Sequence, residues 1–98
     1  MLEVPIIIEN VIPIAKLYGL KKVYIFGSYA KGTATEESDV DLLIVPGKRM
    51  SLIGLSGLRQ DLIDALNVSV DIVTNDAIDD DFRKSIDECN ELIFDDKQ

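Results

Sequence analysis

Two aspartates one residue apart, Asp39 and Asp41, open an apolar run, Leu42-Leu43-Ile44-Val45. Ten residues upstream of the pair ends a Gly-Ser turn, Gly27-Ser28, at the close of another apolar run, Val23-Tyr24-Ile25-Phe26. In a strand, side chains alternate between faces, so Asp39 and Asp41 are expected on one side, about 7 Å apart. Val40 between them points inward. Two carboxylates held side by side repel, and a cation or a shared proton relieves the repulsion. Oxygen-only ligands suit Mg²⁺, which takes one or two carboxylates and completes its octahedron with water and phosphate oxygens. Gly27 has no side chain to keep a phosphate from the backbone, and Ser28 starts a helical turn whose free N–H groups attract anions.

A third acid interrupts a later strand pattern, Val68-Ser69-Val70-Asp71-Ile72-Val73. A charge inside such a pattern is costly unless something accepts it. If this strand lies beside the one that carries Asp41, Asp71 faces the pair. Three carboxylates around two Mg²⁺ is an arrangement for in-line phosphoryl or nucleotidyl transfer. Asp39, Asp41 and Asp71 are therefore the candidate catalytic and metal-binding residues, and Gly27 and Ser28 the candidate nucleotide-binding ones. Cys89 is read as a packing residue, because the chain has no histidine to activate it.

The elements that must position these groups follow from periodicity. Ile8, Val11, Ile12, Ala15 and Tyr18 recur at helical spacing, and Asn10 offers a cap, so a helix is expected over 10–18. Strands are expected over 23–26, 39–45 and 68–73, with a helical turn over 28–31 and a short last strand at Leu92-Ile93-Phe94. Leu52, Leu55, Leu58, Leu62, Ile63 and Leu66 mark a helix over 51–66, closed by Asn67. Asp79-Asp80-Asp81 suits the start of a further helix, with Phe82, Ile86 and Cys89 as its inward stripe. Helices and strands in this alternation predict an α/β (α+β) fold, a mixed β-sheet of about four strands flanked by helices.

Ninety-eight residues suit a single domain spanning 1–98. No apolar run approaches the ~18 residues of a membrane span, and no signal peptide is recognisable. One cysteine and no histidine argue against a disulfide framework and against zinc, and fit a cytoplasmic protein. The formal charge is −8, and residues 76–98 hold nine of the 18 acids but only three of the ten bases. Such a surface repels nucleic acid, so no direct nucleic-acid partner is expected, whereas it would tolerate or even attract a basic protein partner.

Gly27-Ser28, ten residues, Asp39-x-Asp41 and a later strand with Asp71 resemble the signature of the DNA polymerase β-like nucleotidyltransferase superfamily. The Val-Tyr-Ile-Phe-Gly-Ser-Tyr-Ala-Lys-Gly stretch and the short chain resemble its minimal, MntA-like antitoxin branch. The resemblance implies a nucleotidyltransferase fold, with Gly27 and Ser28 at the triphosphate of ATP and Asp39 and Asp41 on Mg²⁺. Asp71 would complete the metal site and activate the acceptor. It also implies a partner, an all-helical HEPN ribonuclease toxin, neutralised by transfer of AMP from ATP to a tyrosine hydroxyl, by complex formation, or by both. Larger members carry a helical second domain at the acceptor site, which has no counterpart in these 98 residues; that half is expected to come from a partner, from a second copy, or from nothing. Three readings stay open: an adenylyltransferase acting on a partner toxin, a non-catalytic antitoxin, and a homodimeric enzyme acting on a small-molecule hydroxyl.

Overall fold

The computed structural model describes residues 2–48, 50–75, 79–81, 83, 84 and 90–96. Helix α1 spans Val4–Leu17, strand β1 Leu20–Phe26, the short helix α2 Gly27–Lys31 and strand β2 Val40–Pro46. Helix α3 spans Leu52–Leu66, followed by strands β3 (Val70–Thr74) and β4 (Asn90–Asp95). The four strands form one sheet in the order β3-β2-β1-β4. β1 runs antiparallel to both β2 and β4, while β2 and β3 are parallel. A parallel pair needs a crossover, and α3 supplies it. The expected mixed sheet flanked by helices is what the chain forms.

Register and alternation divide the sheet into two faces. Val23 and Ile25 of β1, Val40, Leu42 and Ile44 of β2 and Val70 of β3 share one face and are fully buried. They join Ile7, Val11 and Ala15 of α1 and Leu58, Leu62 and Leu66 of α3 in a single apolar cluster. The other face carries Phe26, Asp41 and Asp71 side by side in register.

Two boundaries differ in ways that matter. Helix α1 begins at Val4, six residues before the expected start, and Glu3 rather than Asn10 occupies its N-cap. The Asn10 amide instead donates to the Ile6 carbonyl at 2.8 Å, one turn back. The β-branched run before Asn10 is a weak helix former, but Pro5 fits a first turn and Ile7 falls on the buried stripe with Val11 and Ala15. Burial decides the conformation over local propensity. Pro13 lies inside this helix, on its exposed side, where the carbonyl it cannot pair with belongs to exposed Glu9.

The second difference is that β2 starts at Val40, leaving Asp39 in the loop ahead of it. Helix α3 fits its expected span, with Ser51 as N-cap accepting from the Gly54 N–H at 3.0 Å. Asn67 closes it in the left-handed conformation, φ 58°. β1 and β4 run longer than expected, and β3 begins two residues later. Arg83 donates its backbone N–H to the Asp79 carbonyl at 2.9 Å, one helical turn. The stripe of Phe82, Ile86 and Cys89 lies outside the described residues. Among the described residues no helix is long and apolar enough to cross a membrane.

Candidate active site

The parallel register of β2 and β3 sets Asp41 directly beside Asp71, and the antiparallel register of β1 sets Phe26 on the other flank of Asp41. The next residue after Phe26 is Gly27, where β1 turns into α2. Gly27 has φ +71°, a conformation that costs an L side chain energy. A Cβ placed there would collide with the Asp41 carboxylate, with the carboxylate carbon only 3.1 Å away. The glycine therefore makes room first for a carboxylate of the chain itself. Its expected part in admitting a phosphate rests on the same bare backbone.

Asp41 is half-buried, and its carboxyl is pushed above the ordinary value. Burial is the main cause, followed by the charges of Asp71 and Asp39 and a hydrogen bond with Asp71. Neighbouring carboxylates repel one another, and that repulsion adds to burial in making Asp41 hold its proton more tightly. A cation relieves the same repulsion, and the oxygen-only donor set suits Mg²⁺ in particular. On that test Asp41 and Asp71 fit a divalent-metal site.

Asp39 is exposed and lies one residue ahead of the ladder, where its charge still acts on Asp41. Among the described residues no three acidic, histidine or cysteine side chains lie close enough to hold a metal unaided. The arrangement is a close pair with a third charge at the edge of its field, and a bound phosphate would have to contribute to any full metal shell.

The loop that carries Asp39 is braced by its own hydroxyl side chains. The Thr35 N–H donates to Ser38 Oγ at 2.8 Å, and the Ser38 N–H returns to the Thr35 carbonyl at 3.0 Å. The Glu37 N–H adds a bond to Thr35 Oγ1 at 3.3 Å. The Thr-x-x-Ser spacing is the available signal, since short hydroxyl side chains hold their own backbone in turns. At the other end of this connection, the Thr33 N–H donates to the Ser28 carbonyl at 3.0 Å, and Gly32 closes α2 with φ 75°. Ser28 is half-buried at the start of α2, whose cap carries no side-chain hydrogen bond. Tyr29 is buried in the core and is not available to stack on a base.

Two hollows lie elsewhere. One of about 300 Å³ sits between α3 and β3, and a neighbour of about 770 Å³ sits at the far ends of β2 and β3. Neither is lined by Asp39, Asp41 or Asp71.

Comparison with known proteins finds relatives in sequence and in fold. Residues 9–98 match the family model described as Polymerase beta, Nucleotidyltransferase. A Methanocaldococcus jannaschii relative, named a protein adenylyltransferase, is 42% identical over 78 residues, covering 79% of this chain and 78% of its own. The protein adenylyltransferase MntA of Thermococcus cleftensis is 32% identical over 69 residues, covering 70% of each chain. In fold, the chain is similar to one in the Shewanella oneidensis complex of tri-AMPylated HEPN toxin with MNT antitoxin. That match has a TM-score of 0.74 at 20% identity and covers 96% of this chain and 74% of the other.

Proposed function

The chain belongs to the polymerase β nucleotidyltransferase family, and from that premise we propose that it transfers AMP from ATP to a hydroxyl group, a tyrosine in the first instance, of a HEPN-type helical toxin, acting as its antitoxin. The observation that carries the reading is the in-register pairing of Asp41 with Asp71 beneath the bare backbone of Gly27. The names of the relatives support the adenylyl group and a protein acceptor, and the Shewanella complex supports the kind of partner.

The residues divide the work by position. Gly27 and Ser28 receive the triphosphate at the start of α2, where backbone N–H groups face anions. Asp39, Asp41 and Asp71 are the residues that would hold Mg²⁺, two ions in this reading, and the metal would offset the charge of the phosphates and acidify the acceptor hydroxyl. Asp71, exposed and on the outer strand of the pair, accepts the proton of that hydroxyl. The bond formed joins the acceptor oxygen to the α-phosphorus of ATP. The bond broken is the one from that phosphorus to the bridging oxygen, which leaves with pyrophosphate.

Labelled ATP, Mg²⁺ and purified partner toxin test the proposal. Wild type is expected to label the toxin and the Asp39→Ala/Asp41→Ala variant to leave it unlabelled and active. Equal protection by both, with no label on the toxin, would establish the second reading, neutralisation by complex formation. That reading draws on the absence of a self-sufficient metal cluster among the described residues.

A further inference from the structure

β3 is an outer strand of the sheet, and the ladder shows which of its backbone groups face away from β2. The Val40 N–H donates to the Ser69 carbonyl at 2.9 Å and the Asn75 N–H to the Ile44 carbonyl at 3.1 Å. In a parallel pair this parity turns the odd-numbered residues 69–75 toward β2 and the N–H and C=O groups of Val70, Ile72 and Thr74 outward. One outward-facing group is closed, and so is the end of the strand. Arg59 Nε of α3 donates to the Val70 carbonyl at 2.8 Å. At the other end Pro46 has no N–H to offer β3, and the Asn75 carbonyl accepts from the Arg83 guanidinium at 3.1 Å. Between them the edge groups of Ile72 and Thr74 have no partner among the described residues.

That open stretch borders the 300 Å³ hollow roofed by Leu52, Leu55 and Arg59. Leu52 and Ile53, at the start of α3, are 83% and 86% exposed. The hollow shares Leu52, Leu55 and Thr74 with the larger one beside it, which adds Lys21 and Lys48. Among the described residues no acid lines either hollow, in a chain of net charge −8. A cation near an edge often serves only to discourage pairing, but Arg59 covers one carbonyl and leaves the apolar floor open.

We propose that the outer edge of β3, open among the described residues, docks an extended, acidic segment of a partner protein, which pairs with Ile72 and Thr74 as an added strand. An exposed edge supplies main-chain hydrogen bonds, and flanking hollows choose the side chains. Here Leu52 and Leu55 select apolar residues, and Arg59, Lys48 and Lys21 select carboxylates at the segment's ends. A second copy is the poorer occupant. Pairing two β3 edges about a two-fold axis would gather Arg59 and Lys48 of both chains with no lining acid among the described residues to offset them.

The test uses the full chain, ¹⁵N-labelled, and a blocked peptide of alternating valine and threonine flanked by two glutamates at each end. The glutamate peptide is expected to slow amide exchange at Ile72 and Thr74 by about tenfold or more, with the inward amides of Asp71 and Val73 unchanged. A lysine-flanked peptide is expected to bind about tenfold more weakly, and Leu52→Glu, at an exposed position, to weaken the glutamate peptide to a similar degree. Equal binding of the two peptides, no binding of either, or protection on β4 instead would overturn the proposal. So would self-association of the chain that Leu52→Glu abolishes, which would assign the edge to a second copy. None of these readouts depends on nucleotide transfer, so the docking edge and the adenylyl-transfer reading can fail separately.

Discussion

Replacing Gly27 with alanine tests whether this glycine exists to seat the Asp41 carboxylate. Two costs are separable. Holding an L residue at φ +71° costs about 1–2 kcal/mol whatever surrounds it. The new methyl group also meets the Asp41 carboxylate, and moving that side chain off its rotamer adds roughly 0.5–1.5 kcal/mol. Together they come to about 2–3 kcal/mol, and at ~4–8 °C per kcal/mol for a domain of this size the Tm should fall by roughly 10–20 °C. Urea denaturation in chelator gives the cycle. In an Asp41→Ala background only the backbone cost remains, so Gly27→Ala should destabilise by about 0.5–1.5 kcal/mol less there than in wild type. Calorimetric titration with Mg²⁺ and ATP should show at least a roughly tenfold weaker affinity for Gly27→Ala, because the displaced carboxylate can no longer face Asp71. Equal destabilisation in both backgrounds, or nucleotide affinity unchanged, would refute the seat.

Asp41→Asn should keep the fold, abolish Mg²⁺-dependent ATP binding and raise the Tm of the metal-free protein, since it removes like-charge repulsion from Asp71 and Asp39; a lowered Tm in differential scanning calorimetry would contradict the electrostatic account. Because Asp41 holds its proton more tightly folded than unfolded, its contribution to stability is fully present below the ordinary aspartate range and is lost as pH rises through its raised value. The stability gap between Asp41→Asn and wild type should accordingly narrow on acidification across that window, as urea midpoints would read. Ser51→Ala removes the side chain that accepts from the Gly54 N–H and should cost about 0.5–2 kcal/mol in urea unfolding, with nucleotide binding unchanged. Leu58→Ala, fully buried in the core cluster, should cost about 2–5 kcal/mol and lower the Tm without altering the pH dependence assigned to Asp41.

Much of this protein was legible along the chain. Apolar runs and leucine spacing marked β1, β2 and α3, because strand alternation and helical periodicity are local properties of the backbone. The spacing of Gly27-Ser28 and Asp39-x-Asp41, with Asp71 breaking a strand pattern, singled out the acids by the cost of a charge in apolar surroundings. Local propensity failed at α1, where Val4–Ile8 is helical because Ile7 meets the core, and β2 starts at Val40, one residue after Asp39. The pairing of Asp41 with Asp71 depends on which strands become neighbours and in what register, and residues thirty positions apart carry no local mark of either. The same holds for Gly27, whose missing side chain matters because β1 and β2 bring another strand's carboxylate into its place. Spacing along a strand decided which groups could do chemistry; only packing between strands decided which of them meet, because register is a property of the assembled sheet.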